Sequence, residues 1–207
     1  MKAEKSDLKV LPTNDIIFKM IFANPRDTRP LIHFLNCAIK PESPIKSVVI
    51  TSNEPSKDYR SEKGVRMDIV ATTDAGEQID VEMQRKNNLD IKGRALFYWS
   101  KLFGGQLEMG ADYHNLNRTV SITIMNFTLF HADKRYWRKA YLKDDVSNEV
   151  ITNLLEMQFI ELNKMKKMDQ NSPLTFWIEF LKDRATCKIS GGVRASTDFH
   201  LTRECYL

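Results

Sequence analysis

The stretch IVATTDAGEQIDVEMQ (residues 69–84) constrains the fold more tightly than any other part of the chain. Two alternating runs flank Asp74-Ala75-Gly76, a three-residue connection suited to a type I turn followed by a left-handed residue, where glycine carries no Cβ penalty. A hairpin closed this way pairs Thr73 with Glu77, and counting outward sets Asp68 opposite Glu82, with Gln84 diagonally adjacent. Side chains alternate along a strand, so Gln78, Asp80, Glu82 and Gln84 share one face while Ile79, Val81 and Met83 turn toward a core. On the preceding strand Asp68, Val70 and Thr72 share a face.

The segments around this hairpin supply the rest of a sheet and its helices. TNDIIFKMIFA (13–23) has helical apolar spacing, with Thr13 or Asn14 as the N-cap. A second helix is expected over 28–39, with Pro30 in its first turn and His33 as a structural histidine among apolar neighbours. IKSVVI (45–50) reads as a strand and 51–63 as a polar loop. A long amphipathic helix is expected over 91–112, weakened locally at Gly104-Gly105. Strands follow at 119–130, 136–143 and 154–162, then a short helix over 172–183 opening with Ser172-Pro173. Residues 186–207 show no sustained period and are expected to form a loose tail behind one domain spanning 1–185. Helix, strand, hairpin, long helix and strand in this order predict an α/β domain with helices packed on a mixed sheet.

Composition narrows the function classes without choosing among them. A net charge of +4 permits a polyanionic partner but does not demand one, because the placement of charge decides that affinity. No run of some 18 apolar residues occurs, so no membrane helix and no membrane partner are expected. Cys37, Cys187 and Cys205 form neither a CxxC pattern nor a disulfide framework, which fits the cytoplasm.

Chemistry concentrates at the hairpin. Carboxylates directly opposite each other in an antiparallel pair have Cβ atoms about 4.5–5.5 Å apart, and bare like charges at that distance destabilise the pair. A hard divalent ion removes the repulsion, and Mg²⁺ typically takes one or two carboxylates with waters and phosphate oxygens completing its shell. Asp68 and Glu82 thus form either a metal seat or, with a shifted register, two solvated acids. Arg60, Lys63, Arg66, Arg85, Lys86, Lys92 and Arg94 surround the pair, either as a solvated face or as contacts to a phosphodiester backbone. Arg94 and Tyr98, four apart on the long helix, share a face and can reach a phosphate, although Tyr98 can equally cover the core. EMQ recurs at 156–158, but with Ser147-Asn148 as the turn Glu156 has no acid across from it, and this copy is expected to be structural.

TNDIIFKMIF, LIHFLNCAI, RMDIVATTDAGEQIDVEMQ, GRALFYWSKLFGGQLEMGADYHNL and LEMQFIELNKM, in this order from about residue 10 to 183, resemble the Rpn family of recombination-promoting nucleases, also described as PD-(D/E)xK nuclease transposases. The resemblance implies a restriction-endonuclease-like core and a metal-dependent DNA endonuclease from bacteria, associated with DNA mobility and recombination. By that likeness Asp68 is the metal-binding Asp and Glu82 the acid of the (D/E)xK element, with Gln84 where the wider superfamily has lysine. Asp15 matches the acid of an opening D-x-x-F-K signature that Phe18 and Lys19 complete, either as a further metal ligand or as a first-turn acid favoured by the helix dipole. The expected site is therefore Asp68, Glu82 and Gln84 for catalysis, Asp68, Glu82 and Asp15 for Mg²⁺, and Arg85, Lys86, Arg94, Tyr98 and Lys19 for DNA phosphates. Two other readings remain: a DNA-binding remnant without catalysis, and a protein-interaction domain whose acidic pair is incidental.

Overall fold

A computed structural model describes residues 11–51, 67–87, 90–166 and 172–182. The segment 186–207 and all but the first residue of the loop expected at 51–63 lie outside the described residues. The elements run α1 (Asp15–Phe22), α2 (Arg29–Ile39), β1 (Val48–Thr51), β2 (Ile69–Thr73), β3 (Gln78–Gln84), α3 (Ile91–Gly104), β4 (Thr119–Met125), β5 (Trp137–Ala140), β6 (Leu155–Glu161) and α4 (Pro173–Lys182).

Local chemistry sets the ends of these elements. The Asn14 side chain accepts a hydrogen bond from the Ile16 N–H at 3.1 Å and caps α1. Pro30 sits in the first turn of α2, and Lys40 closes that helix in the left-handed region. Helix α3 stops at Gly104 instead of continuing to 112, because two consecutive glycines lack the propensity to carry it further. The chain is then pinned on its way back to the sheet by Gln106, whose amide bonds the Asn117 N–H at 2.8 Å and the Asn117 carbonyl at 3.0 Å. Strand β4 ends at Met125, short of 130. The Leu129 and Phe130 N–H groups donate instead to the Glu161 carboxylate, at 2.7 and 3.1 Å, so a side chain replaces the ladder there.

The six strands form one mixed sheet in the order β1-β2-β3-β4-β6-β5, with β4 parallel to both neighbours and the outer pairings antiparallel. Helices α1, α2 and α4 cover one face, packing Phe18, Phe22, Phe34 and Trp177 against Ile79, Val81, Val120, Ile122 and Ile124. Each such fully buried apolar side chain contributes roughly 1.5–3 kcal/mol. Helix α3 covers the other face through Ile91 and Ala95, which pack with Met125, Met157 and Phe159. A central strand between two helical layers is buried on both sides. That is why the polar face of β3, expected beside a core-facing partner, is itself buried from Ile79 through Gln84.

Candidate active site

The hairpin has the register that the Asp74-Ala75-Gly76 loop predicts. Thr73 N–H donates to the Glu77 carbonyl at 3.0 Å, Gly76 N–H to the Thr73 carbonyl at 2.9 Å, and Gly76 has φ of +82°. The ladder runs out to Ile69 opposite Val81, so Asp68 is the next residue along and lies across from Glu82. The two residues clasp each other: the Asp68 N–H donates to Glu82 Oε1 at 2.7 Å, and the Met83 N–H donates to Asp68 Oδ2 at 3.0 Å. Both carboxylates therefore converge at the carboxyl end of β3.

Helix α3 roofs this point. Glu82, Gln84 and Thr123 line a small pocket with Ile91, Arg94, Ala95 and Tyr98. Gln84 Nε2 donates to Glu82 Oε2 at 3.2 Å, and an Arg94 guanidinium nitrogen approaches the same oxygen at 3.3 Å. The Arg94 guanidinium also lies 4.9 Å from the centre of the Tyr98 ring. The four-residue spacing thus puts Arg94 and Tyr98 on one face of α3, beside Glu82. Arg85 and Lys86 follow directly at the surface.

Two residues stand differently from the sequence expectation. Lys19, expected among the phosphate contacts, lies against the acids themselves, with Nζ 3.1 Å from Asp68 Oδ1 and 2.9 Å from Asp15 Oδ1. Burial disfavours the ammonium, but the hydrogen bonds to Asp15 and Asp68 outweigh it and raise the lysine above its ordinary value. Asp15, expected as a further metal ligand or as a first-turn acid, is 64 % exposed and is joined to Asp68 through Lys19. Among the described residues no three His, Cys, Asp or Glu side chains gather into a ready-made ion cage.

Asp80 is a side chain beside the acid pair that sequence reasoning placed on the same face as Glu82 but gave no task. It is fully buried two residues before Glu82, and its Oδ2 accepts from Ser121 Oγ at 3.0 Å across the β3–β4 pairing. Its Oδ1 has no hydrogen-bond partner. Burial pushes the Asp80 carboxyl above the usual carboxylate range, with Ser121 opposing and Asp68 reinforcing the shift. Glu82 is raised as well, by burial first and then by the charges of Asp80 and Asp68, while the Asp68 N–H and Arg94 work against it. The alternation that aligned Asp80 with Glu82 was its visible signal. Its burial depended on α3, which lies elsewhere in the chain.

This donor set fits a hard divalent cation. Asp68 and Glu82 present oxygen ligands only, their mutual repulsion is incompletely offset, and the neighbouring buried Asp80 keeps one oxygen without a hydrogen-bond partner. Two opposed carboxylates are also the number a protein commonly offers to Mg²⁺.

The second EMQ behaves otherwise. Glu82 aligns with Thr123 of β4 and Glu156 with Val120, three residues apart, so the two glutamates project from opposite faces of the sheet. Glu156 is buried and held by the Arg118 guanidinium and, at 3.4 Å, by Lys139. Its oxygens are taken by fixed internal cations, which supports the structural reading. Glu156 and Gln158 are both buried on that face, where the Gln158 amide also donates to Glu156.

A family model described as PD-(D/E)XK nuclease family transposase matches residues 12–204. The match takes in residues 186–204, which carry no periodicity in sequence. Among curated proteins and among solved structures no significant match is found. No helix among the described residues is long and apolar enough to cross a membrane. The mixed sheet, the helices on both faces and the match over most of the chain agree on a restriction-endonuclease-like core with a nuclease-like, transposase-associated function: the chain belongs to the PD-(D/E)XK nuclease family transposases.

Proposed function

We propose that the protein is an Mg²⁺-dependent DNA endonuclease acting in recombination or DNA mobility in a bacterial cytoplasm. The observation that carries this reading is the convergence of Asp68 and Glu82 beneath α3, clasped through each other's backbone. These two carboxylates would hold the ion. When bound, it supplies charge neutralisation and polarisation of the scissile phosphate, worth several kcal/mol at the transition state.

The chain's own residues do the rest. Gln84 steadies Glu82 through its 3.2 Å hydrogen bond, and its neutral amide orients the attacking water without serving as a base. Arg94, partly exposed beside Glu82, and the exposed Arg85 and Lys86 hold the phosphodiester backbone on either side of the scissile bond. Tyr98 braces Arg94 from below. Asp80 and Ser121 fix the strand interior under the acids, and Asp15 stays outside the ligand set.

Cleavage of supercoiled plasmid in Mg²⁺ against chelator tests this. Asp68→Asn and Glu82→Gln keep the shape and remove the charge. Each should slow nicking about a thousandfold, the rate equivalent of some 4 kcal/mol. Parental rates in both variants would refute the assignment. Gln84 in the place of a lysine favours one rival, a DNA-binding remnant without catalysis. That rival requires salt-sensitive DNA binding with no Mg²⁺-dependent cut.

A further inference from the structure

Every oxygen of the acid pair faces a donor, and the donors differ in kind. The Met83 N–H on Asp68 Oδ2 and the Asp68 N–H on Glu82 Oε1 belong to the hairpin backbone and cannot leave while the hairpin stands. Asp68 Oδ1 faces Lys19 Nζ at 3.1 Å, a point charge on a flexible four-carbon stem. The same ammonium has a second carboxylate at hand: Asp15 Oδ1, 2.9 Å away and one turn back on α1. An acid four residues N-terminal to a lysine is the favoured helical arrangement for such a pair. Asp15 is 64 % exposed and Lys19 is 23 % exposed, so both can shift without opening the core.

An ammonium and a divalent cation on one carboxylate repel each other, so an ion entering between Asp68 and Glu82 must first contend with Lys19. Asp15 lowers that cost by giving the displaced ammonium a place to stay. We infer that Lys19 is the built-in counter-cation of the ion site, and that Asp15 is its positioning residue, drawing Lys19 aside when a divalent cation loads. This inference rests on the metal reading of Asp68 and Glu82. It gives the D-x-x-x-K spacing on α1 a task distinct from metal ligation and from phosphate contact.

Mg²⁺ titrations of the full chain at low ionic strength, followed by calorimetry and by the rise in melting temperature, test it. Lys19→Met should bind Mg²⁺ about fivefold more tightly than the parent and Asp15→Asn about fivefold more weakly, the lower end of ordinary coupling between sites. Lys19→Arg, which keeps the charge, should stay near the parent. These differences should shrink as salt is added, because the pair is surface-accessible. A purely structural helix pair would move the melting temperature of the ion-free protein and leave Mg²⁺ affinity alone. Unchanged or weaker Mg²⁺ binding in Lys19→Met overturns the inference while the nuclease reading stands. A parent that binds no Mg²⁺ and shows no Mg²⁺-dependent nicking overturns both.

Discussion

His33 on α2 accepts a hydrogen bond from the Trp177 indole N–H at 2.8 Å, through Nδ1, so it must be unprotonated there to do so. Burial lowers its pKa below the ordinary 6.5. Between that lowered value and 6.5 the unfolded chain binds more protons than the native one, so stability rises with pH in this window. The contribution is fully present above 6.5 and is lost as the solution is acidified through the folded value. Asp80 and Glu82, whose carboxyls are raised, contribute in the opposite direction over this range, so the His33 effect is read as a difference between proteins. In equilibrium denaturation from pH 7 to 5 the parent should lose stability relative to His33→Gln, which carries no titrating ring; a constant difference across the range would remove His33 from the account. The structural role of His33 was legible because its neighbours in sequence are apolar. Its partner was not, because Trp177 lies 144 positions away.

Among the elements, the β2–β3 hairpin decides the site, and one residue fixes its register. Gly76 sits at φ +82°, and a Cβ there would meet the Asn117 side chain at 3.2 Å. Gly76→Ala should cost about 1–2 kcal/mol by denaturant unfolding, the left-handed penalty of an ordinary residue, and loosen the Asp68–Glu82 register with it. A neutral effect would show that the turn does not set the pairing. This part of the fold was readable in advance because loop length and turn chemistry are local. The ends of α3 and β4 were less so: the glycine pair was seen as a weak spot when it is a terminus, and the Glu161 carboxylate that replaces the ladder beyond Met125 comes from a strand 36 residues further on. Nor could alternation alone show that the polar side of β3 is roofed. That follows from α3, whose Ile91 and Ala95 close over it.

At the scale of the molecule, the parallel centre of the sheet places the acids where open α/β sheets bind ligands, beyond the carboxyl ends of their strands. Glu82 and Gln84 finish β3, and Asp68 precedes the antiparallel β2, so a chain reversal brings it to the same end. The two EMQ copies separate here as well: the one beneath α3 meets an opposed acid and lines a pocket, whereas Glu156 is held by Arg118 and Lys139. The central claim is that Asp68 and Glu82 share one divalent cation, and anomalous diffraction from crystals soaked in Mn²⁺ tests it directly. The account predicts a peak bonded to an oxygen of each carboxylate, absent in Glu82→Gln crystals treated alike. A cleavage-competent protein whose Mn²⁺ peak lies elsewhere, or touches neither side chain, would contradict it.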